Sequence, residues 1–465
     1  MWTFFIPGIF LFLFVYAPYS MHWFFSPSKI DEAVNPAYAA FKRPAFIGQS
    51  SKFKSIRDVI YEHIEIPIED FLLIDTPEMQ SLRDLKQLGA VYWVYPSATG
   101  DRFQHSLGVG YFAAQYLTRL AQNNPHVEIP HEWFRLIRAA GYCHDLGHAG
   151  LLNHGFDAIA HQLGVPAELA DHEDRSVALF RFMVQKYNLN YSSEEANLIC
   201  ALIKGEPIAG YPAWLFEIIA NHFCEVDVDK EYLRRDAYYL FMNKQVDFHK
   251  LMQNMKLLPV NNNEEELHIV FHSKDAQLLL DLFQTRQYLH RIVYRHPAVV
   301  RIELLLRDML QLLANVFEWQ TLFDSEHSWR MVLTDHIIGT MNGVIHNPTL
   351  FRALSLEKQT KLRLAYNLFQ RVQKRQFYPK ASISSSSNMS VDVSFIPPLY
   401  PAQHHFHQVV KCAYSGGNTN PLDKVHVYLI NEEGDYEVFP LSKANLSQVS
   451  NTVYSESFHF DHVRN

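Results

Sequence analysis

Residues 102–173 contain four motifs rich in histidine and acidic residues: RFQHSLGVG at residues 102–110, HDLGH at 144–148, HGFD at 154–157 and HE at 172–173. Apolar residues recur at intervals of three and four after His105 and in the segment before His144, a pattern that predicts two helices. Imidazole and carboxylate side chains at the ends of such helices suit a divalent transition metal. The stretch therefore predicts a mainly helical protein with a metal site.

The candidate metal ligands are His105, His144, Asp145 and Asp229. His144 and Asp145 close the predicted helix Trp133–Cys143, and we take Asp229 as the last ligand because it shares a helical stripe with Tyr232 and Asp236. Any single one of the 25 histidines is more often a core residue than a ligand. The ordered set, with Arg102, Gly108 and Gly147 beside it, favours a site that leaves positions for water and substrate, and so favours hydrolysis.

These motifs resemble the HD-domain deoxynucleoside triphosphate triphosphohydrolases, and most closely the animal enzymes that join a SAM domain to an HD domain. The resemblance extends through residues 75–89, Thr285-Arg286, residues 289–291, Tyr294, residues 367–369 and residues 420–423. It covers about residues 50–435 of the chain. We expect the SAM domain to be absent, because only about 50 residues precede the similarity.

The resemblance implies the reaction and its machinery. Water attacks the α-phosphorus of a deoxynucleoside triphosphate (dNTP), and inorganic triphosphate leaves together with a deoxynucleoside. His105, His144, Asp145 and Asp229 hold one divalent transition metal (Mn, Fe, Ni or Zn), and Mg could accompany the substrate phosphates. His154 acts as general acid, Asp157 fixes its tautomer, and His172 with Glu173 extends the proton relay.

The resemblance also implies two sets of substrate contacts. The phosphates are held by Arg102, His148, Lys230, Tyr232 and Arg286. The sugar and base are surrounded by Gln87, Leu88, Asp236 and Tyr294, with Tyr294 packed against C2′ so that a ribose hydroxyl is excluded. Each of these residues has a structural alternative as a core side chain or an ordinary surface charge.

A regulatory site is a further expectation from the resemblance. Asp75, Gln80 and Arg83 match residues that bind GTP as an activator, and the alternative is a capping aspartate beside two surface polar residues. At the family's second, deoxynucleotide site, Ile292 and Pro297 stand where phosphate-pairing cations are expected. We therefore expect GTP to promote assembly to a dimer or tetramer, with little effect of dATP.

Two departures from the family pattern leave alternatives open. One residue fewer separates the metal aspartate from Tyr232, and a slip of one residue turns a helix by about 100°, so Asp227 is a rival ligand to Asp229. Arg295 replaces an expected glutamine, so base recognition can differ. A second hypothesis is a catalytically weakened paralogue that acts as a nucleotide sensor or scaffold, and a third is another HD phosphodiesterase.

Composition and length bound the other properties. The chain has 465 residues, 48% of them apolar, and a net charge of −8, which argues against strong nucleic-acid binding. The four cysteines are widely spaced, which indicates reduced thiols. Residues 1–25 are nearly uncharged and could form a signal or an anchor, the one segment through which membrane association is possible. A dNTP hydrolase needs the nucleotide pool, so we expect an intracellular location, in the nucleus or cytoplasm.

The expected organisation has three parts: a hydrophobic segment and linker at residues 1–49, the helical HD core at residues 50–380, and a small α+β lobe at residues 381–465. We predict a β-hairpin-like start over residues 53–73, a loop in the serine run from Ser382, a hairpin around Asn431 and a solvated surface cluster at His404, His405 and His407. The predicted helices span residues 78–88, 194–203, 233–251, 276–296, 299–313 and 356–377.

Overall fold

The computed structural model describes residues 52–243, 246–261, 263–323, 329–378, 380–386, 405–412, 420–444 and 454–461. The predictions for residues 1–25 and for His404 lie outside these ranges, as do those for the side chains of His405 and His407. The domain boundaries at residues 49 and 380 stay predictions. Among the helices of the described ranges, none combines the length and the apolar content needed to cross a bilayer.

Helices make up most of the described chain, which confirms the mainly α class. They are α1 (Phe71–Ile74), α2 (Pro77–Gln80), α3 (Arg102–Asn123), α4 (Glu132–Cys143), α5 (His172–Lys186), α6 (Ser193–Lys204), α7 (Ala213–Phe216), α8 (Tyr232–Tyr239), α9 (Phe248–Gln253), α10 (Ala276–Leu289), α11 (Pro297–Val316), α12 (Gln320–Phe323), α13 (Trp329–Val332), α14 (Ile337–Ile345), α15 (Pro348–Ala353), α16 (Leu356–Gln373) and α17 (Pro421–Lys424). One apolar core runs through them, and α11 packs along α16.

The strands form three small sheets. They are β1 (Phe53–Asp58), β2 (Glu62–Pro67), β3 (Lys256–Val260), β4 (Asn263–His272), β5 (Lys380–Ser386), β6 (His405–Cys412), β7 (His426–Ile430), β8 (Tyr436–Pro440) and β9 (Tyr454–Asp461). The antiparallel pairs β1–β2 and β7–β8 confirm both predicted hairpins. The β3–β4 hairpin was not predicted, and β4 pairs in parallel with β7 in the order β3-β4-β7-β8. The small α+β lobe is confirmed, and its sheet includes residues from the middle of the chain.

Close backbone contact between α3 and α4 positions the site. A Cβ on Gly141 would lie 2.7 Å from the Cα of Gly110, so the two helices touch where neither has a side chain. Asp101 caps the start of α3 by accepting from the backbone N–H of Gln104 at 2.9 Å. Because His105 follows the start of α3 and His144 follows the end of α4, the contact brings both imidazoles to the same end of the helix pair.

Three secondary-structure predictions were wrong. The helix over residues 78–88 ends as α2 at Gln80, and a short 3₁₀ helix follows before Leu85 becomes extended and accepts a hydrogen bond from Arg102 N at 2.9 Å. The helix over residues 233–251 is broken after α8, where Phe241 has a φ of 53° and Asp247 caps α9. The predicted serine loop is strand β5, which pairs with β9. In each case contacts distant in sequence, or a turn, replace the local preference.

Candidate active site

Three predicted ligands converge closely. The Nε2 atoms of His105 and His144 lie 3.3 Å apart, and Oδ1 of Asp229 lies 3.2 Å from the first and 3.3 Å from the second. Asp145 adds carboxylate oxygens 3.6 Å from His105 Nε2 and 3.5 Å from His144 Nε2. Ligands about 2.1 Å from one metal ion lie about 3.0–3.4 Å from each other in octahedral or tetrahedral geometry. The spacing of this cluster therefore fits a metal ion.

The other nitrogen of each histidine fixes its tautomer. His144 Nδ1 donates to the backbone carbonyl of Gly141 at 2.8 Å, and His105 Nδ1 donates to the buried carboxylate of Glu231 at 3.1 Å. Each Nε2 then faces Asp229 and is the nitrogen available to a metal ion, which is the arrangement found around metal-bound histidines. Burial lowers the pKa of His105, but hydrogen bonds to Asp229 and Glu231 outweigh it and raise the pKa to about 10. A cation in the cluster would replace that proton.

The structure separates the two rival aspartates. Asp227 caps the 3₁₀ helix Val228–Glu231, accepts from Asn221 N at 3.0 Å and pairs with Lys230 Nζ at 3.0 Å, and within the described residues its carboxylate contacts neither imidazole. Asp229 faces the histidines instead, with 31% of its side chain exposed to the cavity. A 3₁₀ helix rises about 2.0 Å per residue, against about 1.5 Å in an α-helix. This extended turn brings both Asp229 and Tyr232 to the cavity although the segment is one residue short.

A cavity of about 390 Å³ opens beside the cluster. Residues lining it include most of the predicted substrate contacts: Gln87, Leu88, Arg102, Lys230, Tyr232, Asp236, Arg286 and Tyr294. The volume lies within the range of about 300–1,000 Å³ that small-molecule sites occupy. Oε1 of Gln87 is buried without a hydrogen-bond partner in the described part of the chain, so a ligand donor is the group it lacks.

The cations that were predicted to hold phosphate already have partners. Arg102 is buried and donates to Asp145 Oδ2 and to Asn153 Oδ1, so it contacts one of the predicted metal ligands directly. Burial lowers the pKa of Lys230, but Asp227 and Asp229 outweigh it and raise the pKa well above its usual range. Both side chains are therefore charged and held at the edge of the cavity, where they can meet an anionic ligand.

A second histidine cluster borders the first. The rings of His148 and His172 have centroids 4.1 Å apart, and His154 lies 4.9 Å from His148 and 5.1 Å from His172. His148 Nε2 lies 3.2 Å from Asp145 Oδ1, which links the clusters. Nδ1 of His148 has no hydrogen-bond partner within the described residues.

The predicted pairing of Asp157 with His154 was wrong. Asp157 Oδ2 accepts from Nδ1 of His172 at 2.7 Å, and its other oxygen accepts from Arg175. Enclosure by the cavity walls is the largest cause that lowers the pKa of His154, and the nearby His172 and Arg102 lower it further, to about 4. The ring nevertheless remains accessible to solvent. The hydrogen bond from His172 Nδ1 to Asp157 fixes the tautomer of His172. Glu173 lines the same cavity.

The predicted sugar contacts lie together. The hydroxyl of Tyr294 donates to Asp236 Oδ2 at 2.6 Å, and both side chains line the cavity beside Tyr232. Burial raises the pKa of Asp236 to about 7, although the hydrogen bond from Tyr294 opposes the shift. The pair forms a rigid wall, because the hydrogen bond holds the phenol ring in place.

The predicted GTP contacts lie near each other at the surface. Asp75 follows α1 and is exposed, while Thr76, rather than Asp75, caps α2. Gln80 donates to the backbone carbonyl of Ile74 at 2.8 Å and accepts from Arg83 Nε at 2.8 Å. The Arg83 guanidinium lies 3.8 Å from the ring centroid of Phe103. The predicted capping role of Asp75 in α2 was wrong.

Several charged residues position the site although they lie outside the motifs, and they were not predicted from the sequence. Glu231 orients His105 and also pairs with Arg235, which in turn binds Asp58 of β1 at 2.9 Å. Arg330 is fully buried and donates to the carbonyls of Leu146 and His148. Asp335 accepts from the backbone N–H of Leu151 at 2.9 Å and of Lys86 at 3.0 Å. In the sequence, the signal for these residues is that a charged side chain stands within an apolar segment.

Comparison with known proteins confirms the resemblance to the HD-domain dNTP triphosphohydrolases. The chain is 33% identical over 329 residues to the deoxynucleoside triphosphate triphosphohydrolase SAMHD1 homolog of Dictyostelium discoideum, covering 70% of this chain and 59% of that one. It is 30% identical over 417 residues to human SAMHD1 (81% and 65%) and 28% identical over 454 residues to mouse SAMHD1 (87% and 67%). The chain thus spans about three fifths to two thirds of these relatives. No protein-family model matches it.

Proposed function

We propose that this protein hydrolyses deoxynucleoside triphosphates, dGTP among them, to a deoxynucleoside and inorganic triphosphate. The observation that carries the proposal is the convergence of His105, His144, Asp145 and Asp229 beside a cavity lined by Arg102, Lys230 and Arg286. Such a cavity combines a cation-binding cluster with fixed positive charge, which suits a polyphosphate. The names of the relatives support the same substrate class.

The four clustered ligands would hold one divalent ion. Imidazole with carboxylate suits Mn, Fe, Ni or Zn, and Mg remains an option at the phosphates. When bound, such an ion supplies Lewis acidity toward a phosphoryl oxygen and lowers the pKa of water. The chain contributes the fixed geometry, because Glu231 and the Gly141 carbonyl orient both imidazoles before any ligand arrives.

We assign the proton transfer to His172 in place of His154. Hydrolysis forms a bond from the water oxygen to the α-phosphorus and breaks the bond from that phosphorus to O5′, and O5′ must take a proton as it departs. His172 has a carboxylate on Nδ1, which leaves Nε2 to deliver the proton. His154, with its lowered pKa, is suited to donate a hydrogen bond to phosphate in its neutral form.

The product distinguishes the candidate reactions. Purified protein with Mn²⁺ is incubated with dGTP, with GTP and with a cyclic nucleotide, and the phosphorus products are separated. We expect inorganic triphosphate and deoxyguanosine from dGTP. Pyrophosphate with a monophosphate, or cleavage of the cyclic nucleotide alone, would contradict the proposal and favour another HD phosphodiesterase.

The alternative of a weakened nucleotide-sensing paralogue rests on two features, the shortened segment after the metal aspartate and Arg295 in place of the expected glutamine. The 3₁₀ helix keeps Asp229 in the cluster and Tyr232 at the cavity, so that segment gives no structural ground for lost catalysis. The same assay tests the alternative, which requires nucleotide binding without turnover.

Tyr294 is expected to determine the preference for deoxyribose. Replacing Tyr294 by alanine removes the phenol ring that Asp236 holds against the cavity, so a 2′-hydroxyl gains room. We expect the ratio of kcat/KM for dGTP over GTP to fall about tenfold or more, the scale of discrimination that a steric pocket provides. Tyr288→Ala, on the exposed side of α10, is the matched control and should leave the ratio unchanged. An unchanged ratio in Tyr294→Ala would remove Tyr294 from sugar selection.

We further propose that GTP acts as an activator at Asp75, Gln80 and Arg83 and promotes a dimer or tetramer. The exposed carboxylate and the nearby guanidinium supply the acceptor and donor that a guanine edge requires. A ligand drives assembly only if it binds the assembled state better than the free subunit. Sedimentation should therefore show a shift with GTP and little with dATP, and Asp75→Asn should reduce the shift. Assembly that depends on dATP would contradict this proposal.

We also propose a location in the nucleus or cytoplasm, because the proposed substrates are nucleotides.

A further inference from the structure

Two side chains of opposite charge, Arg295 and Glu303, line the same cavity as Tyr294 and Asp236. Arg295 directly follows Tyr294 at the end of a π-helical turn, His290–Tyr294, and Glu303 projects from α11. Nη1 of Arg295 lies 3.9 Å from Oε2 of Glu303. That separation is too long for a hydrogen bond, so each group keeps its donors or acceptors for a third partner.

Glu303 is a carboxylate in need of a donor. Only 18% of its side chain is exposed, and the described part of the chain gives it no hydrogen bond. Burial raises its pKa to about 7, with Arg295 and Arg307 opposing the shift. Buried polar groups in proteins nearly always have a hydrogen-bond partner. Because Glu303 lines the cavity, a bound ligand can supply the hydrogen-bond donor that the described residues do not.

We propose that Arg295 and Glu303 select guanine among the deoxynucleoside triphosphates, an inference that rests on the proposed function. Both follow the Tyr294–Asp236 wall along the chain and share its cavity, so they lie where a base attached to that sugar can reach them. A base that offers two adjacent donors to the carboxylate and an acceptor to the guanidinium satisfies both groups at once.

Guanine alone matches that pattern. Its N1–H and N2–H groups donate side by side to a carboxylate, while O6 and N7 accept from a guanidinium. Adenine and cytosine would direct a ring-nitrogen acceptor at Glu303, and thymine places its single N–H between two carbonyl oxygens. These bases leave a charged group unsatisfied, which costs more than a lost contact and so provides discrimination.

The test measures kcat/KM of the Mn²⁺-loaded protein for dGTP, dATP, dCTP, dTTP and dITP. We expect dGTP to exceed each other base by about tenfold or more, and dITP, which lacks the N2 amino group, to fall between. Glu303→Gln should lower the ratio of dGTP to dATP about tenfold. The same variant should gain activity on dXTP relative to dGTP, because the glutamine amide can donate to the O2 carbonyl of xanthine. A gain on dXTP cannot arise from misfolding.

Matched variants keep the result interpretable. Glu357→Gln, an exposed carboxylate on α16 that pairs with Lys361, should leave all ratios unchanged. Arg295→Gln should weaken dGTP and dITP alike, because both present O6. Equal kcat/KM for the four natural bases, or an unchanged ratio in Glu303→Gln, would overturn the inference and leave the hydrolase intact. If no dNTP is hydrolysed, equilibrium binding of dGTP and dATP still decides it: a preference for dGTP that Glu303→Gln abolishes supports guanine selection, and equal binding overturns it.

Discussion

Replacing Asp229 by alanine is expected to remove the bound metal and to lower kcat/KM by roughly a thousandfold or more, the scale on which a metal supplies transition-state stabilisation. The carboxylate of Asp229 lies within 3.3 Å of both imidazole Nε2 atoms and closes the cluster on its third side. Without it, two histidines and Asp145 remain, with Asp145 already shared with Arg102. Metal content per chain, measured after dialysis, and steady-state kinetics with dGTP check the result.

Asp227→Asn is the matched control, because Asp227 is two residues away and carries the same charge. Its carboxylate caps the 3₁₀ helix and binds Lys230; asparagine caps about as well as aspartate, so the variant should lose stability only through its weaker bond to Lys230. Its metal content should stay close to that of the parent protein. Full metal in Asp229→Ala together with loss of metal in Asp227→Asn would show that the register of this segment is wrong.

Replacing His172 by glutamine is expected to leave the metal in place and to slow turnover by a factor of about a hundred or more, as loss of a general acid does. His172 stands outside the metal cluster, 4.1 Å from His148 between ring centroids, and its Nδ1 is held by Asp157. Binding of dGTP should persist, so kcat falls more than KM changes.

The variant Asp157→Asn tests whether Asp157 acts through His172. If Asp157 acts by orienting His172, the effects of Asp157→Asn and His172→Gln on kcat should not add. Either substitution alone disables the same hydrogen-bonded pair, so the second one has little left to remove. His154→Ala should keep the metal. Turnover that survives His172→Gln and collapses only in His154→Ala would return the acid role to His154.

The sequence alone determined the class of fold and the chemical type of the site. The periodicity around His105 and before His144 is a local property that fixes which faces are buried, so it predicted α3, α4 and the placement of both histidines at helix ends. The order of imidazole and carboxylate residues indicated a transition-metal site, because ligand type follows from side-chain chemistry. Most of the predicted substrate contacts line one cavity, although their roles stay proposals.

Tertiary structure decided what depends on contacts distant in sequence. The 3₁₀ helix places Asp229 beside the imidazoles and Asp227 at its own cap, an arrangement that spacing counted on an α-helix cannot foresee. Asp157, at the start of the 3₁₀ helix Asp157–Leu163, accepts hydrogen bonds from His172 and Arg175, which both lie on α5. The β4–β7 pairing joins residues some 150 positions apart, for which local propensity holds no information. Local periodicity thus specified the elements, whereas packing between them specified which charged groups meet.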